Sequence, residues 1–130
     1  MQTYKSGEIE VVLTHAEHSS DIGIPVGFII KIGDRALYHM GDTAYFKGLD
    51  FLGELYKPDT LFIPIGSRYT MGPIEASYAV RDLHPAWVIP MHYNTTESIK
   101  QDPNVFAELC KESSPGSQVI IFKPGQVKEI

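Results

Sequence analysis

The pattern of apolar runs changes about a third of the way along the chain, and this change limits the possible folds. Strand-like runs come first, at 9–14, 26–32 and 35–40, and Gly33-Asp34 between the last two is typical of a hairpin turn. Helical and strand-like patterns then alternate, as they do in units that build a parallel sheet. The sequence therefore predicts one α/β domain over 1–130, which is long enough to bury a substantial core.

Proline residues delimit the elements of the second part. A helix over 49–56 is expected to end before Pro58, because the residue before a proline disfavours helix. Two further helices are expected to begin at Pro73 and at Asp102-Pro103, since proline is favoured in the first helical position. Strands are predicted at 60–65, 87–91, 119–122 and 126–130.

Three of the strand-like runs are followed by side chains that can bind metals. His18 follows the first run, Asp42 lies in a Gly-Asp-Thr segment after 36–40, and His92 follows 87–91. Ligands gather beyond the carboxyl ends of strands in sheets with crossover helices. Two imidazoles and a carboxylate suit zinc or a similar divalent ion, but a hydrolytic ion usually has three protein ligands. The sequence therefore predicts one side of a metal site.

Each candidate also has a simpler interpretation that the sequence leaves open. Asp42 can be read as a turn aspartate that caps the following segment. His92 can be read as a structural histidine at the edge of the core. His15 lies three residues before His18, but the segment has no helical character, so the two do not form a pair on a helix face. We prefer His18 because it lies further past the strand end. Tyr93 is expected to pack, although a phenol beside His92 also suits hydrogen bonding to an oxyanion.

Other polar residues are given structural roles by the sequence. We expect His39 and His84 to be structural, and Glu17 and Asp21 to be solvated or to contact a ligand residue. The loop 65–72 has two interpretations: an ordinary connection, or an anion site at a helix start with Arg68 adding charge.

Composition excludes several classes of function. The net charge of -5 argues against a nucleic-acid binder, which needs basic residues to neutralise phosphates. The longest apolar stretch, 22–30, is interrupted by glycine and proline and is too short to span a membrane. Cys110 is the single cysteine, so no internal disulfide is possible and a cytoplasmic location is expected.

Four motifs together resemble a known family. The chain is similar, from about residue 11 to 122, to metal-dependent hydrolases of the metallo-β-lactamase superfamily that are related to the ascorbate-phosphate lactonases. The motifs that carry the resemblance are His18-Ser19-Ser20, Tyr38-His39-Met40-Gly41-Asp42-Thr43, Pro64-Ile65-Gly66 with Tyr69-Thr70-Met71-Gly72-Pro73, and Pro90-Met91-His92-Tyr93-Asn94-Thr95.

The resemblance implies a fold and a site. The fold is the C-terminal half of the αββα sandwich, one mixed sheet with helices packed on one face. In the site, His18 is a ligand of a first metal, Asp42 bridges both metals and His92 is a ligand of the second, so that Asp42 and His92 are catalytic. The implied reaction is attack of metal-activated water on an ester, lactone or phosphoester. Zinc is the expected metal, with manganese or iron as alternatives.

The chain departs from the family in one respect. It contains no His-x-His-x-Asp-His motif, which in the family supplies most of the ligands from a preceding half-domain. We therefore expect a partial domain that is a poor hydrolase alone, acts on a small molecule, and pairs as a homo-oligomer or with a complementary N-terminal half. The alternative function is a non-catalytic half-domain or truncated remnant that serves as an assembly or interaction module.

Overall fold

The computed structural model describes residues 1–130 and contains a mixed seven-stranded sheet. The strands lie across the sheet in chain order, antiparallel from β1 to β4 and parallel from β4 to β7. This architecture confirms the predicted α/β class. The strands are β1 (Thr3–Ser6), β2 (Ile9–His15), β3 (Val26–Ile32), β4 (Arg35–His39), β5 (Thr60–Pro64), β6 (Trp87–Met91) and β7 (Gln118–Val119).

Three helices join the parallel strands: α1 (Leu49–Tyr56), α2 (Pro73–Leu83) and α3 (Pro103–Ser113). The Asp102 side chain accepts a hydrogen bond from the Asn104 N–H at the start of α3, as its place before a proline predicts. Both α1 and α2 end at a residue in the left-handed conformation, Lys57 and His84, each followed by a proline. These stops turn the chain back into β5 and β6.

One face of the sheet is covered by the helices and forms the core. A row of apolar side chains crosses six strands on this face, and it packs in one cluster with buried residues such as Leu49 of α1, Val80 of α2 and Phe106 of α3. Alternation along each strand directs every second side chain to this face. The row consists of Val12, Ile29, Tyr38, Leu61, Val88 and Val119.

The opposite face of the sheet carries no helix and is also apolar. We call this the open face; it includes Ile9, Phe28 and Ile32, which are 43 %, 38 % and 53 % exposed. The register places further half-buried side chains on it, namely Val11, Leu13, Ile30, Leu37, Phe62 and Trp87. The predicted arrangement was the same: one mixed sheet with helices packed on one face only.

The sequence prediction was wrong at both ends of the chain. Residues 126–130 form no strand, and the strand expected at 119–122 is only Gln118–Val119. The last backbone hydrogen bond to β6 runs from the Ile120 N–H to the Val88 carbonyl oxygen, and the β-forming residues after Ile120 have no paired strand. Strand β1 and a short 3₁₀ turn at Glu97–Ile99 were not predicted; β1 is wholly exposed and so lacks an apolar face in its sequence.

Candidate metal centre

Asp42 lies in a tight turn directly after β4. Gly41 has a φ of 68°, and a Cβ on it would lie 2.6 Å from the carbonyl oxygen of Val26. Only glycine fits this position, for reasons of both conformation and space. The His39 Nδ1 accepts a hydrogen bond from the Gly41 N–H at 3.2 Å and so also holds the turn. The Asp42 side chain is left 50 % exposed, with its oxygens free to bind.

His92 leaves β6 in the left-handed conformation, with a φ of 55°. Its Nε2 lies 3.5 Å from Oδ2 of Asp42. Its Nδ1 is buried and has no hydrogen-bond partner. The atom that points to the carboxylate is therefore also the ring nitrogen that remains available to a metal, while the other nitrogen is enclosed.

Close approach of the β5 exit to His92 explains why Nδ1 is enclosed. A Cβ on Gly66 would lie 2.4 Å from the His92 carbonyl oxygen, 3.2 Å from Nδ1 and 3.2 Å from Cβ of Ile99. Glycine is thus required where β5 ends, because a larger residue would push the His92 backbone away. The close contact therefore fixes the backbone from which the His92 ring extends.

His18 is the third predicted ligand, and it lies in the loop after β2. Its Nδ1 is 2.7 Å from the carbonyl oxygen of Ser19. With Nδ1 as the donor, the lone pair is on Nε2, which is the arrangement that ligand histidines adopt. No three His, Cys, Asp or Glu side chains of the chain lie close enough together to hold one ion. The structure therefore brings together Asp42 and His92, but does not join His18 to them.

The loop of His18 is nevertheless fastened to the turn of Asp42. The Glu17 N–H donates to Oγ1 of Thr43 at 2.9 Å, and the Ala44 N–H donates to the Glu17 carbonyl oxygen at 2.8 Å. Glu17, which precedes His18, is thus hydrogen-bonded to Thr43, which follows Asp42, and to Ala44.

The donors on this chain fit a divalent cation in part. An imidazole nitrogen and a carboxylate oxygen 3.5 Å apart suit two ligands of one ion, and both groups are partly exposed. A complete ion needs further ligands, and one side of a metal site stays a prediction.

Three other residues considered above, His15, His39 and Tyr93, have structural contacts. His15 is at the end of β2 with its ring edge-on to Phe46 at 5.2 Å, and His39 stacks on Phe62 at 5.9 Å. Tyr93 packs against the core cluster, and burial raises the pKa of its phenol, so it stays protonated. Glu17 and Asp21 side chains are exposed.

The loop 65–72 is an ordinary connection and not an open anion site. The N–H groups of Ser67 and Arg68 donate to Met71 and Gly66 carbonyl oxygens, and the Gly72 N–H donates to the Glu75 carboxylate. These donors are already used within the chain. The Arg68 guanidinium lies over the ring of its neighbour Tyr69.

A groove of about 740 Å³ opens beside the loop that follows His92. It runs along residues 94–97 and 100–101 to the starts of α2 and α3, and neither Asp42 nor His92 lines it. The lining is mainly polar, including the amides of Asn94 and Gln101 and the hydroxyls of Thr95 and Thr96. The groove is therefore a neighbour of the candidate site and not the site itself.

Sequence reasoning did not find the two residues that hold the ligand loops in place, Thr43 and Gly66. Both residues belong to the motifs quoted above, but each acts through a contact with a segment far away in the chain, which the local sequence does not indicate. A glycine directly after a buried strand was the one available signal, because it indicates close approach of another backbone.

Comparisons with known proteins agree with this fold. A family model described as a beta-lactamase superfamily domain matches residues 2–92. The chain belongs to this superfamily. A metal-dependent hydrolase of Caldivirga maquilingensis is 48 % identical over 94 % of this chain and 54 % of its own length. Another, of Methanosarcina mazei, is 45 % identical over 94 % of this chain and 59 % of its own length.

Solved structures show the same relationship. Igni18, a metallo hydrolase from the archaeon Ignicoccus hospitalis, superposes with a TM-score of 0.90 at 40 % identity, covering 97 % of this chain and 56 % of its own. YhfI of Bacillus subtilis, a metallo-β-lactamase fold protein, superposes with a TM-score of 0.74 over 94 % of this chain and 50 % of its own; at 15 % identity it shows the fold alone. The chain spans about half the length of the relatives it matches.

None of the helices has the length and apolar character needed to cross a membrane.

Proposed function

We propose that this chain carries one side of a dinuclear metal site in a hydrolase that cleaves an ester, lactone or phosphoester of a small molecule. The observation that carries the proposal is the 3.5 Å separation of Asp42 Oδ2 and His92 Nε2. In support, relatives that are 48 % and 45 % identical are named metal-dependent hydrolases. A divalent cation, when bound, polarises the electrophile and lowers the pKa of water to about 7.

The residues of the chain have distinct roles in this proposal. The carboxylate of Asp42 would contribute to the binding of both cations. His92 would provide Nε2 to one ion, and His18 would provide Nε2 to the other, oriented by the hydrogen bond from its Nδ1 to the Ser19 carbonyl oxygen. Zinc is the proposed metal, and manganese and iron accept the same ligands.

The remaining ligands are proposed to come from a complementary N-terminal half that covers the open face. The relatives have about as much chain again beyond the matched part, 46 % of the length in the Caldivirga relative (100 − 54). The open face supplies apolar strand residues without a covering layer, and such a surface marks an interface. Residues 1–130 then form the C-terminal part of a larger domain.

The experiment that tests the function uses a chimera, in which this chain replaces the matched segment of the Caldivirga maquilingensis relative. We expect the chimera to hydrolyse chromogenic esters or phosphodiesters with added zinc, manganese or iron, and to lose this activity with a chelator. The chain alone should be at least about 100-fold slower, because two ligands per ion bind weakly. A chimera in which His92→Ala leaves metal content and turnover unchanged contradicts the proposal, as does tight zinc with fast turnover in the chain alone.

A dye that fluoresces on apolar surfaces tests the proposed interface. The chain alone should bind it, and Phe28→Lys on the open face should reduce binding. Phe51→Lys is the matched control, because Phe51 is also exposed, at 56 %, but lies on α1. Equal effects of the two substitutions, or a monomer that binds no dye, would count against a covered open face.

A further inference from the structure

Thr43 connects the loops of His18 and Asp42 to the loop 65–72, which in turn contacts His92. Thr43 follows Asp42 directly, and it is completely buried although Asp42 beside it is exposed. A buried hydroxyl must find hydrogen-bond partners, and the group that donates to the Thr43 hydroxyl comes from outside its own turn.

The hydroxyl of Thr43 faces the loop of His18. Oγ1 accepts from the Glu17 N–H at 2.9 Å and donates to the Ala44 carbonyl oxygen at 2.8 Å. The Ala44 N–H in turn donates to the Glu17 carbonyl oxygen, so both backbone groups of Glu17 are bonded to the Asp42 turn. The position of Glu17 therefore determines the position of the next residue, His18, in the loop after β2.

The backbone of Thr43 contacts the loop 65–72. Its carbonyl oxygen accepts from the Met71 N–H at 3.0 Å, and the Met71 carbonyl oxygen accepts from the Ser67 N–H at 3.0 Å. Ser67 follows Gly66, which is the residue in close contact with His92. A continuous series of contacts therefore runs from Glu17, the residue before His18, through Thr43 to His92.

We infer that Thr43 is a positioning residue whose hydroxyl holds the His18 loop against the Asp42 turn, so that His18 shares a metal with Asp42. This inference rests on the proposed metal site and adds a residue that binds no metal itself. Outer contacts of this kind typically change metal affinity about 10–100-fold when they are removed. Loss of the hydroxyl should therefore affect His18 and leave His92 in place, because the carbonyl contact of Thr43 to Met71 does not involve the side chain.

The test uses the 130-residue chain with Co²⁺ as the probe and NMR of the histidine rings. In the wild type, Co²⁺ should perturb the ring signals of both His18 and His92. In Thr43→Val, the Co²⁺ concentration needed to perturb His18 should rise about tenfold or more while that for His92 changes little. Thr43→Ser keeps the hydroxyl and should restore the wild-type behaviour.

The matched control is Thr70→Val, which removes another buried threonine hydroxyl whose hydrogen bond stays within its own loop. It should leave both ring titrations unchanged. An unchanged His18 titration in Thr43→Val overturns the inference while the metal site stands. A wild type in which Co²⁺ perturbs neither ring overturns the proposed site and the inference with it.

A measurement on the wild type alone covers the case in which Thr43→Val does not fold. The Glu17 N–H should exchange with solvent slowly, because it is bonded to Thr43 Oγ1. Exchange of this amide at the rate of an unstructured loop would overturn the inference.

Discussion

His92 Nε2 and Asp42 Oδ2 lie 3.5 Å apart, although the two residues follow strands that are not neighbours. Asp42 follows β4 and His92 follows β6, and β5 lies between them. Neighbouring strands are about 4.8 Å apart, so the side chains must meet across the exit of β5. Gly66, just past that exit, lies close to the backbone and ring of His92.

Asp42→Asn tests the bridging role of the carboxylate. The amide keeps the shape but loses the negative charge, so we expect binding of Co²⁺ or Zn²⁺ to weaken at least about tenfold. Calorimetric titration of the chain measures this. The control is Asp34→Asn, in the exposed turn between β3 and β4, which should bind the metals as the wild type does. Equal affinities of the Asp42 variant and the wild type would remove Asp42 from the site.

Gly66→Ala tests the close contact under His92. The added methyl group would lie 2.4 Å from the His92 carbonyl oxygen, so the loop after β6 must move. We expect a loss of about 1–3 kcal/mol in the free energy of unfolding, as in other overpacked sites, and weaker metal binding. Urea denaturation and a Co²⁺ titration measure the two effects.

Gly116→Ala is the control for this substitution, because a Cβ at Gly116 meets no atom within 4 Å. It should change neither stability nor metal binding by a measurable amount. If Gly66→Ala behaves like Gly116→Ala, the backbone at β5 has room to relax and the glycine is not required.

Much of the fold could be predicted from the sequence because local signals coincide with the elements. Pro73 and Asp102-Pro103 mark helix starts that the structure contains, and apolar runs mark β5 and β6. The predicted strand at 126–130 was wrong because β-forming residues make a strand only where a partner strand exists. Local sequence carries no information on that partner.

The candidate site could be predicted only to the level of residue type and strand end. Asp42 and His92 were placed beyond strand ends by the pattern, and the structure brings their side chains together. Thr43 and Gly66 were not predicted to hold them, since each acts through a contact with a distant loop. The position of His18 relative to the other two depends on such contacts, and its role in binding stays a prediction.

Tyr38 and Thr14 form a buried polar pair within the core face of the sheet. The Thr14 hydroxyl donates to the Tyr38 hydroxyl at 3.2 Å, and both residues are almost completely buried. Tyr38→Phe should lower the free energy of unfolding by about 1–3 kcal/mol, because the Thr14 hydroxyl loses its acceptor in the core. Thr14→Val should lower the free energy of unfolding less in the Tyr38→Phe variant than in the wild type. Urea denaturation of the four proteins should give a coupling energy of about 0.5–1.5 kcal/mol between the two substitutions. Strict additivity would show that the two hydroxyls do not depend on each other.

The thiol of Cys110 should make the stability of the chain fall at alkaline pH. Cys110 is completely buried between α3 and the core, and burial raises the pKa of its thiol to about 12 from 9.0. Below pH 9 the thiol is protonated in both the folded and the unfolded chain, so its effect on stability is constant. Between pH 9 and 12 only the unfolded chain releases the proton, and stability therefore decreases as the pH rises.

Cys110→Ala removes this titrating group and isolates its effect. From pH 8 to pH 10 the wild type should lose about 1.4 kcal/mol more of its free energy of unfolding than the variant, because one pH unit above the unfolded pKa corresponds to about 1.4 kcal/mol. Comparing the change with pH, and not the absolute stabilities, cancels the cost of the smaller side chain. The range stops at pH 10 because burial also raises the pKa of Tyr38, to about 12 from 10.0, and that group contributes at higher pH. Parallel urea-denaturation profiles for the two proteins would mean that the thiol ionises in the folded chain as easily as in the unfolded one, and that the site around Cys110 opens to water.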